Sequence, residues 1–212
     1  DGRIWAGSAV AAEWHDRDWL NLHIRADEDV KVTSLTNDYT ILLLAGPKSR
    51  DVLSAVSRRD WSAKGFPWLS VREAFIGIAP AVVMSVSFSG ELAYEIHVPN
   101  AQLYAAYREL RAAGKAHGLT LFGLRAVESM RLEKGYLHWK SDLLTEFDPF
   151  ETGLGRFVDL NKQEFVGKEA LVARQKAGPN RLLVSLNLNT TEAAAHGGSS
   201  VMINDRVVGT VT

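Results

Sequence analysis

The 212-residue chain contains no cysteine. Disulfides, thiolate metal sites and a cysteine nucleophile are therefore excluded. A reducing compartment suits such a chain, so a cytoplasmic location is expected. No apolar run approaches the roughly 18 residues that a membrane span requires, and no membrane partner is expected. Positive charge is not in excess: 24 Lys and Arg face 25 Asp and Glu, for a net charge of -1. Nucleic acid, which selects basic patches, is not an expected partner either. The six histidines are scattered, with no i, i+4 pair and no H-E-x-x-H spacing, so no metal site is expected. A G-x-S-x-G elbow is also missing, which leaves a serine hydrolase without its nucleophile. The opening "DGRIWAGSAV" has no basic-then-apolar leader, and no export signal is expected.

What remains is an ordinary globular composition, long enough for one large domain or two small ones. "AAEWHDRDWLNLHI" (11–24) predicts a helix whose buried edge carries Trp14, Trp19 and Leu22. Strands are expected at 30–36 and 40–45, with Asn37 and Asp38 turning between them. Pro47, at no cost in a first turn, opens a helix over 48–56. "AVVMSVSF" alternates, with Val82, Met84, Val86 and Phe88 on one side. After Ser89 and Gly90 the chain alternates again, with Leu92, Tyr94, Ile96 and Val98 on one face and Glu95 and His97 on the other. This predicts a β-hairpin turning at Gly90.

Helices ending at Gly118 and Gly135 follow, then a loosely patterned stretch and a helix in "GKEALVARQKAG". "RLLVSLNLN" (181–189) reads as a strand, and "VMINDRVVGTVT" (201–212) as a hairpin around Asn204 and Asp205. Helices mixed irregularly with antiparallel hairpins define an α+β class. The compositional junction is "RQKAGPNR" (174–181), which divides the chain at 1–178 and 179–212. A lone final hairpin can neither bury its apolar face nor pair its edge, so the chain is expected to stop short of a natural C-terminus.

Three groups of residues carry chemistry worth weighing. Glu95 projects from the non-core side of its strand, where a carboxylate either sits idle in water or accepts two parallel hydrogen bonds from a ring such as an amino-pyrimidinone. Glu91 is a turn residue. Arg131 lies one helical turn from Val127 and, if buried, needs a paired acid. Tyr136, His138 and Trp139 follow Gly135, and aromatic rings there either stack on a flat ligand or cap the core. "GLGRFV" (153–158) precedes a strand-like run rather than a helix, so a phosphate loop is not expected there.

Taken together, "SFSGELAYEIHVP", "GLRAVESMRLEKGYLHWKSDL" and "FETGLGRFVDLNKQEFVGKEAL" resemble the aminomethyltransferase family, which includes the glycine cleavage T-protein. "WHDRDWL" and "GPKSRDVL" lean toward the C-terminal folate-binding region of dimethylglycine and sarcosine dehydrogenases. The resemblance implies an incomplete T-protein fold followed by the start of a C-terminal β-barrel-like domain. It implies that Glu95 binds the pterin of tetrahydrofolate, and that Phe88, standing where the family has tyrosine, keeps the ring but lacks the hydroxyl. Tyr136 matches a pocket tyrosine, and Trp139 walls the same pocket. Val127 replaces a family arginine; Arg125 lies about 200° around the helix and does not inherit its place.

The family's catalytic aspartate is expected in an N-terminal portion outside this chain, and FAD in a separate domain of the full-length enzyme. The expected function is capture of a methyl-derived carbon from a methylated amine as 5,10-methylenetetrahydrofolate, with this segment alone inactive. A T-protein and a non-catalytic folate-binding module of the same fold are the alternatives.

Overall fold

Alternation in "AYEIHVP" sends Tyr94, Ile96 and Val98 to one side of a strand, and in the computed structural model all three are fully buried. The structure describes residues 2–212, which fall into two compact units, Asp1–Tyr136 and Leu137–Thr212. The compositional junction at 174–181 lies inside the second unit.

The first unit begins with helix α1 (Glu13–Leu22), strand β1 (Tyr39–Ala45) and helix α2 (Ser49–Val56). Strands β2 (Val71–Ile76), β3 (Ala79–Met84) and β4 (Ala93–Pro99) follow, then helices α3 (Leu103–Gly114) and α4 (Leu124–Glu133). The four strands form an antiparallel sheet in the order β1-β4-β3-β2. One face of it is closed by α3, which touches β2, β3 and β4 and packs against α2. Val52 and Leu53 of α2 and Ala106 and Leu110 of α3 meet Ala81, Val83, Tyr94 and Ile96 of the sheet in one core.

Aromatic rings brace this core. Trp61 and Phe66 lie 5.1 Å apart, and Phe66 is 5.7 Å from Tyr94. Burying a phenol requires a partner for its oxygen, and the Tyr94 hydroxyl accepts a hydrogen bond from Arg50 Nε of α2 at 3.0 Å. The start of α2 is tied to the sheet as well, since Ser49 Oγ donates to Gly46 O at 2.7 Å and reaches Leu92 O at 3.3 Å.

Several expectations require correction. Residues 30–36 form no strand. The α1 helix forms where expected but buries none of its residues, and Trp14, Trp19 and Leu22 are all exposed. In β3 the core side belongs to Ala79, Ala81 and Val83, while Val82 and Met84 face away from it. Both phases of this strand are apolar, so alternation alone leaves the inward side open. β3 and β4 pair antiparallel as the expected hairpin, with Gly90 at a positive φ, but their connection is a loop spanning residues 85–92. The spacing of Leu124, Val127 and Met130 predicts the buried edge of α4, but Leu124 is exposed and Met130 half-buried, whereas Val127 and Arg131 are buried.

The second unit carries helix α5 (Lys168–Ala177) and a hairpin of β5 (Ser200–Ile203) and β6 (Arg206–Thr210). Asn204 and Asp205 turn it with φ of 48° and 60°, the left-handed pair that a tight hairpin requires. Residues 181–189 form no strand, and Leu182, Val184, Leu186 and Leu188 are exposed. The motif at 153–158 contains a 3-10 turn, Gly155–Phe157, and the strand-like run expected after it forms no strand. Among the described residues of this unit the buried ones are Asp142, Glu151 and Thr152, all polar. Its organisation therefore rests on polar contacts more than on an apolar core.

Candidate functional site

The sheet of the first unit has a second face, not covered by α2 and α3. Residues directly opposite one another on antiparallel strands project to the same side. Glu95 stands between Leu43 of β1 and Met84 of β3, and His97 between Ile41 and Val82. Glu95 is therefore a carboxylate set among apolar neighbours on the open side of the sheet. Its side chain is 34% exposed and that of His97 only 13%. Both values exclude a residue freely immersed in solvent.

Glu95 Oε2 lies 3.3 Å from His97 Nε2. Beyond the histidine, Trp5 presents its ring nearly perpendicular to His97 at 6.2 Å and to Tyr39 at 5.4 Å. An open concavity is lined by Tyr39, Pro80, Val82 and Pro99 of the sheet together with residues 54–60 at the end of α2 and beyond it. Its described lining does not include Glu95, Phe88 or Tyr136.

The loop before β4 is held against the end of α4 by a glycine. Gly90 has a φ of +79°, and a Cβ built there would overlap the Cβ and Cγ of Lys134. Only a residue without a side chain fits so close an approach in that conformation. The segment bearing Phe88 and the segment bearing Tyr136 are thereby packed side by side. Ser89, next to Gly90, is buried, and its hydroxyl accepts from the Glu91 N–H at 3.4 Å.

Tyr136 is anchored through its backbone and keeps its side chain 38% exposed as a residue. Its N–H donates to Arg131 O, and its carbonyl accepts from Arg131 Nη1, both at 2.9 Å. Arg131 itself is buried and pairs with Glu128 through Nε at 3.0 Å and through Nη2. The arginine thus has the acid that burial demands, and it holds the Tyr136 backbone in place.

Trp139 belongs to the second unit, in a turn where the His138 N–H donates to Asp142 Oδ2 at 2.8 Å. The Thr212 hydroxyl donates to the other oxygen of Asp142 at 2.6 Å. Nearby, Asp148 and Glu151 cap each other's backbone: Asp148 Oδ1 accepts from the N–H of Phe150 and Glu151, and Glu151 Oε2 accepts from that of Asp148. Arg174 Nε closes on Asp148 Oδ2 at 2.7 Å. Burial pushes the Asp148 carboxyl upward, but the Glu151 N–H, the Arg174 guanidinium and the Phe150 N–H outweigh it and hold it below the ordinary value. Asp60 is also lowered, chiefly by the Ser62 N–H and then by the Ser62 hydroxyl.

The sequence pattern places Glu95 and His97 on one face but does not reveal their pairing. It also passes over the Asp148–Glu151 cap, although "DPFE" has the D-x-x-E spacing that would have signalled it.

A family profile described as the GCVT N-terminal domain matches residues 1–162. The chain belongs to this family. Among curated relatives of this GCVT-domain chain, human mitochondrial dimethylglycine dehydrogenase is 32% identical over 95% of the chain and 23% of its own length. Mouse mitochondrial sarcosine dehydrogenase is 35% identical over 97% of the chain and 22% of its own length. The aminomethyltransferase of Alkaliphilus oremlandii is 28% identical over 96% of the chain and 55% of its own length. The chain thus spans less than a quarter of the two dehydrogenases and just over half of the aminomethyltransferase. Among the described residues no helix is long and apolar enough to cross a membrane.

Proposed function

We propose that this GCVT-domain chain is the tetrahydrofolate-binding, one-carbon-transfer segment of an FAD-dependent N-demethylating dehydrogenase of the dimethylglycine or sarcosine type. The observation that carries the reading is the setting of Glu95. An ionised carboxylate accepts hydrogen bonds and donates none, and it has room for about four across its two oxygens. One is taken by His97, which leaves capacity for a pair of parallel N–H donors on the edge of an amino-pyrimidinone ring. Leu43 and Met84 on either side supply apolar contact for a flat bicyclic head. The acceptor oxygens and their apolar flanks therefore suit the pterin of tetrahydrofolate.

When bound, tetrahydrofolate supplies the nucleophilic nitrogen that takes up a one-carbon unit as 5,10-methylenetetrahydrofolate. The residues here have other tasks. Glu95 fixes the orientation of the ring without entering the chemistry. Phe88 and Tyr136, on segments brought together by Gly90 and Lys134, offer aromatic walls. Trp139 enters the proposal on its place in the motif alone. The aspartate that takes up the proton belongs to another portion of the enzyme, as does the FAD that oxidises the methylated amine. In this reading β5 and β6 belong to the C-terminal β domain that begins at residue 179. A cytoplasmic location remains the expectation for this chain, although the two animal dehydrogenases are named mitochondrial.

The test is the full-length protein's substrate range. Dimethylglycine or sarcosine with tetrahydrofolate should yield 5,10-methylenetetrahydrofolate, detected by coupled formation of reduced nicotinamide cofactor. A T-protein is the second reading, favoured by the larger share of the aminomethyltransferase that the chain spans. Turnover of an aminomethylated lipoyl carrier, with none of methylated glycines, would replace the first reading by the second. Folate binding with neither activity would leave a non-catalytic module.

A further inference from the structure

We infer that His97 is a positioning residue for Glu95, holding the carboxylate in the orientation that receives the pterin. This rests on Glu95 being the folate ligand.

The geometry supports the inference on three counts. An ionised carboxylate cannot donate, so the 3.3 Å contact requires the hydrogen on Nε2 of the imidazole. Second, the imidazole is itself held: Ile41 and Val82 flank it on neighbouring strands, Trp5 meets it edge to face, and only 13% of its side chain is exposed. Third, Glu95 is the more exposed member at 34%, and a glutamate with free rotamers loses substantial side-chain entropy when a ligand orders it. A donor fixed in the sheet removes part of that loss before the ligand arrives. His97 takes one acceptor position on Oε2 and leaves the others for the ring. It makes no contact with the ligand in this arrangement and acts through Glu95 alone.

The experiment is calorimetric titration of the full-length protein with tetrahydrofolate, in a cycle of four proteins: wild type, His97→Phe, Glu95→Ala and the double variant. His97→Gln is the rescue, because its amide keeps an N–H donor. Phenylalanine keeps a ring against Trp5 but cannot donate, and His97→Leu makes the same comparison should the phenyl ring unsettle the fold.

His97→Phe should weaken binding by about ten-fold, the loss expected for a hydrogen bond to a charged group. His97→Gln should stay within about two-fold of wild type on the same reasoning, and His97→Phe should cost nothing further in the Glu95→Ala background, where no acceptor remains at position 95. Wild-type affinity in His97→Phe, with Glu95→Ala weakened, overturns the role of His97 and leaves the folate site standing. An equal loss in both backgrounds also overturns it, by showing an effect independent of Glu95. Unchanged affinity in Glu95→Ala overturns the site and this inference together.

Discussion

Arg174 Nε and Asp148 Oδ2 lie 2.7 Å apart and join helix α5 to the mutually capped turn at residues 148–151. Around this pair, Arg174 Nη2 reaches Glu151 Oε1 at 3.4 Å and Arg181 stacks over Phe147 at 4.2 Å. In a unit whose buried residues are polar, these contacts take the place of an apolar core.

A pH dependence follows from this pair. The Asp148 carboxyl is lowered from its ordinary value of 3.8 in the folded state. Its stabilising contribution is therefore complete above that value and is lost as pH falls from it through the lower folded value. Melting curves from neutral pH to below 3.8 should show the wild type losing stability more steeply than Asp148→Asn at the acid end. Parallel acid limbs would show that the pair does not couple to folding.

Removing Glu151 should be costly. Its carboxylate is buried, accepts from the Asp148 N–H and faces both Arg174 and Arg181. Glu151→Ala should destabilise by about 2 kcal/mol, the scale for removing a buried charged acceptor whose arginine partners are themselves partly exposed. Urea unfolding measured on the second unit's signal would check this, and a loss below about 1 kcal/mol, typical of an exposed pair, would contradict it.

The inward phase of β3 can be tested by neighbouring substitutions. Val83 is fully buried against α3, while Val82 lies on the other face. Val83→Ala should cost roughly 2 kcal/mol from lost burial and cavity formation, and Val82→Ala less than about 1. Equal losses in denaturant unfolding would mean that the strand is inserted with the opposite phase.

Gly90→Ala should destabilise by two routes. A left-handed φ costs a residue with a side chain about 1–2 kcal/mol, and the new Cβ overlaps Lys134. The two effects separate in a double variant, because Lys134→Ala removes the Cγ and should relieve part of the loss. Strict additivity of the two substitutions would show that the loop and α4 do not meet as described.

The elements legible in the sequence are those with one apolar phase. In β4, Tyr94, Ile96 and Val98 alternate with Glu95 and His97, and pattern alone gives the strand and its faces. Helices α2, α3, α4 and α5 declare themselves by Pro47, Gly118, Gly135 and Gly178 at or near their ends. β2 does not, because Arg72 and Glu73 interrupt a strand at the sheet edge, where charge is tolerated. Residues 181–189 alternate as a strand yet pair with no sheet, since periodicity records which side wants burial and not whether a neighbour is present. The strand face that carries Glu95 was legible; its contact with His97 and the Gly90–Lys134 approach depend on side-chain reach and chain packing, which spacing does not encode.

The central claim is that the Glu95 carboxylate binds the pterin ring, and calorimetric titration of full-length Glu95→Ala with tetrahydrofolate tests it most directly. The account predicts a loss of affinity of roughly ten- to a hundred-fold, with the fold retained, as expected when hydrogen bonds to a charged acceptor are removed. Wild-type affinity in that variant would contradict it.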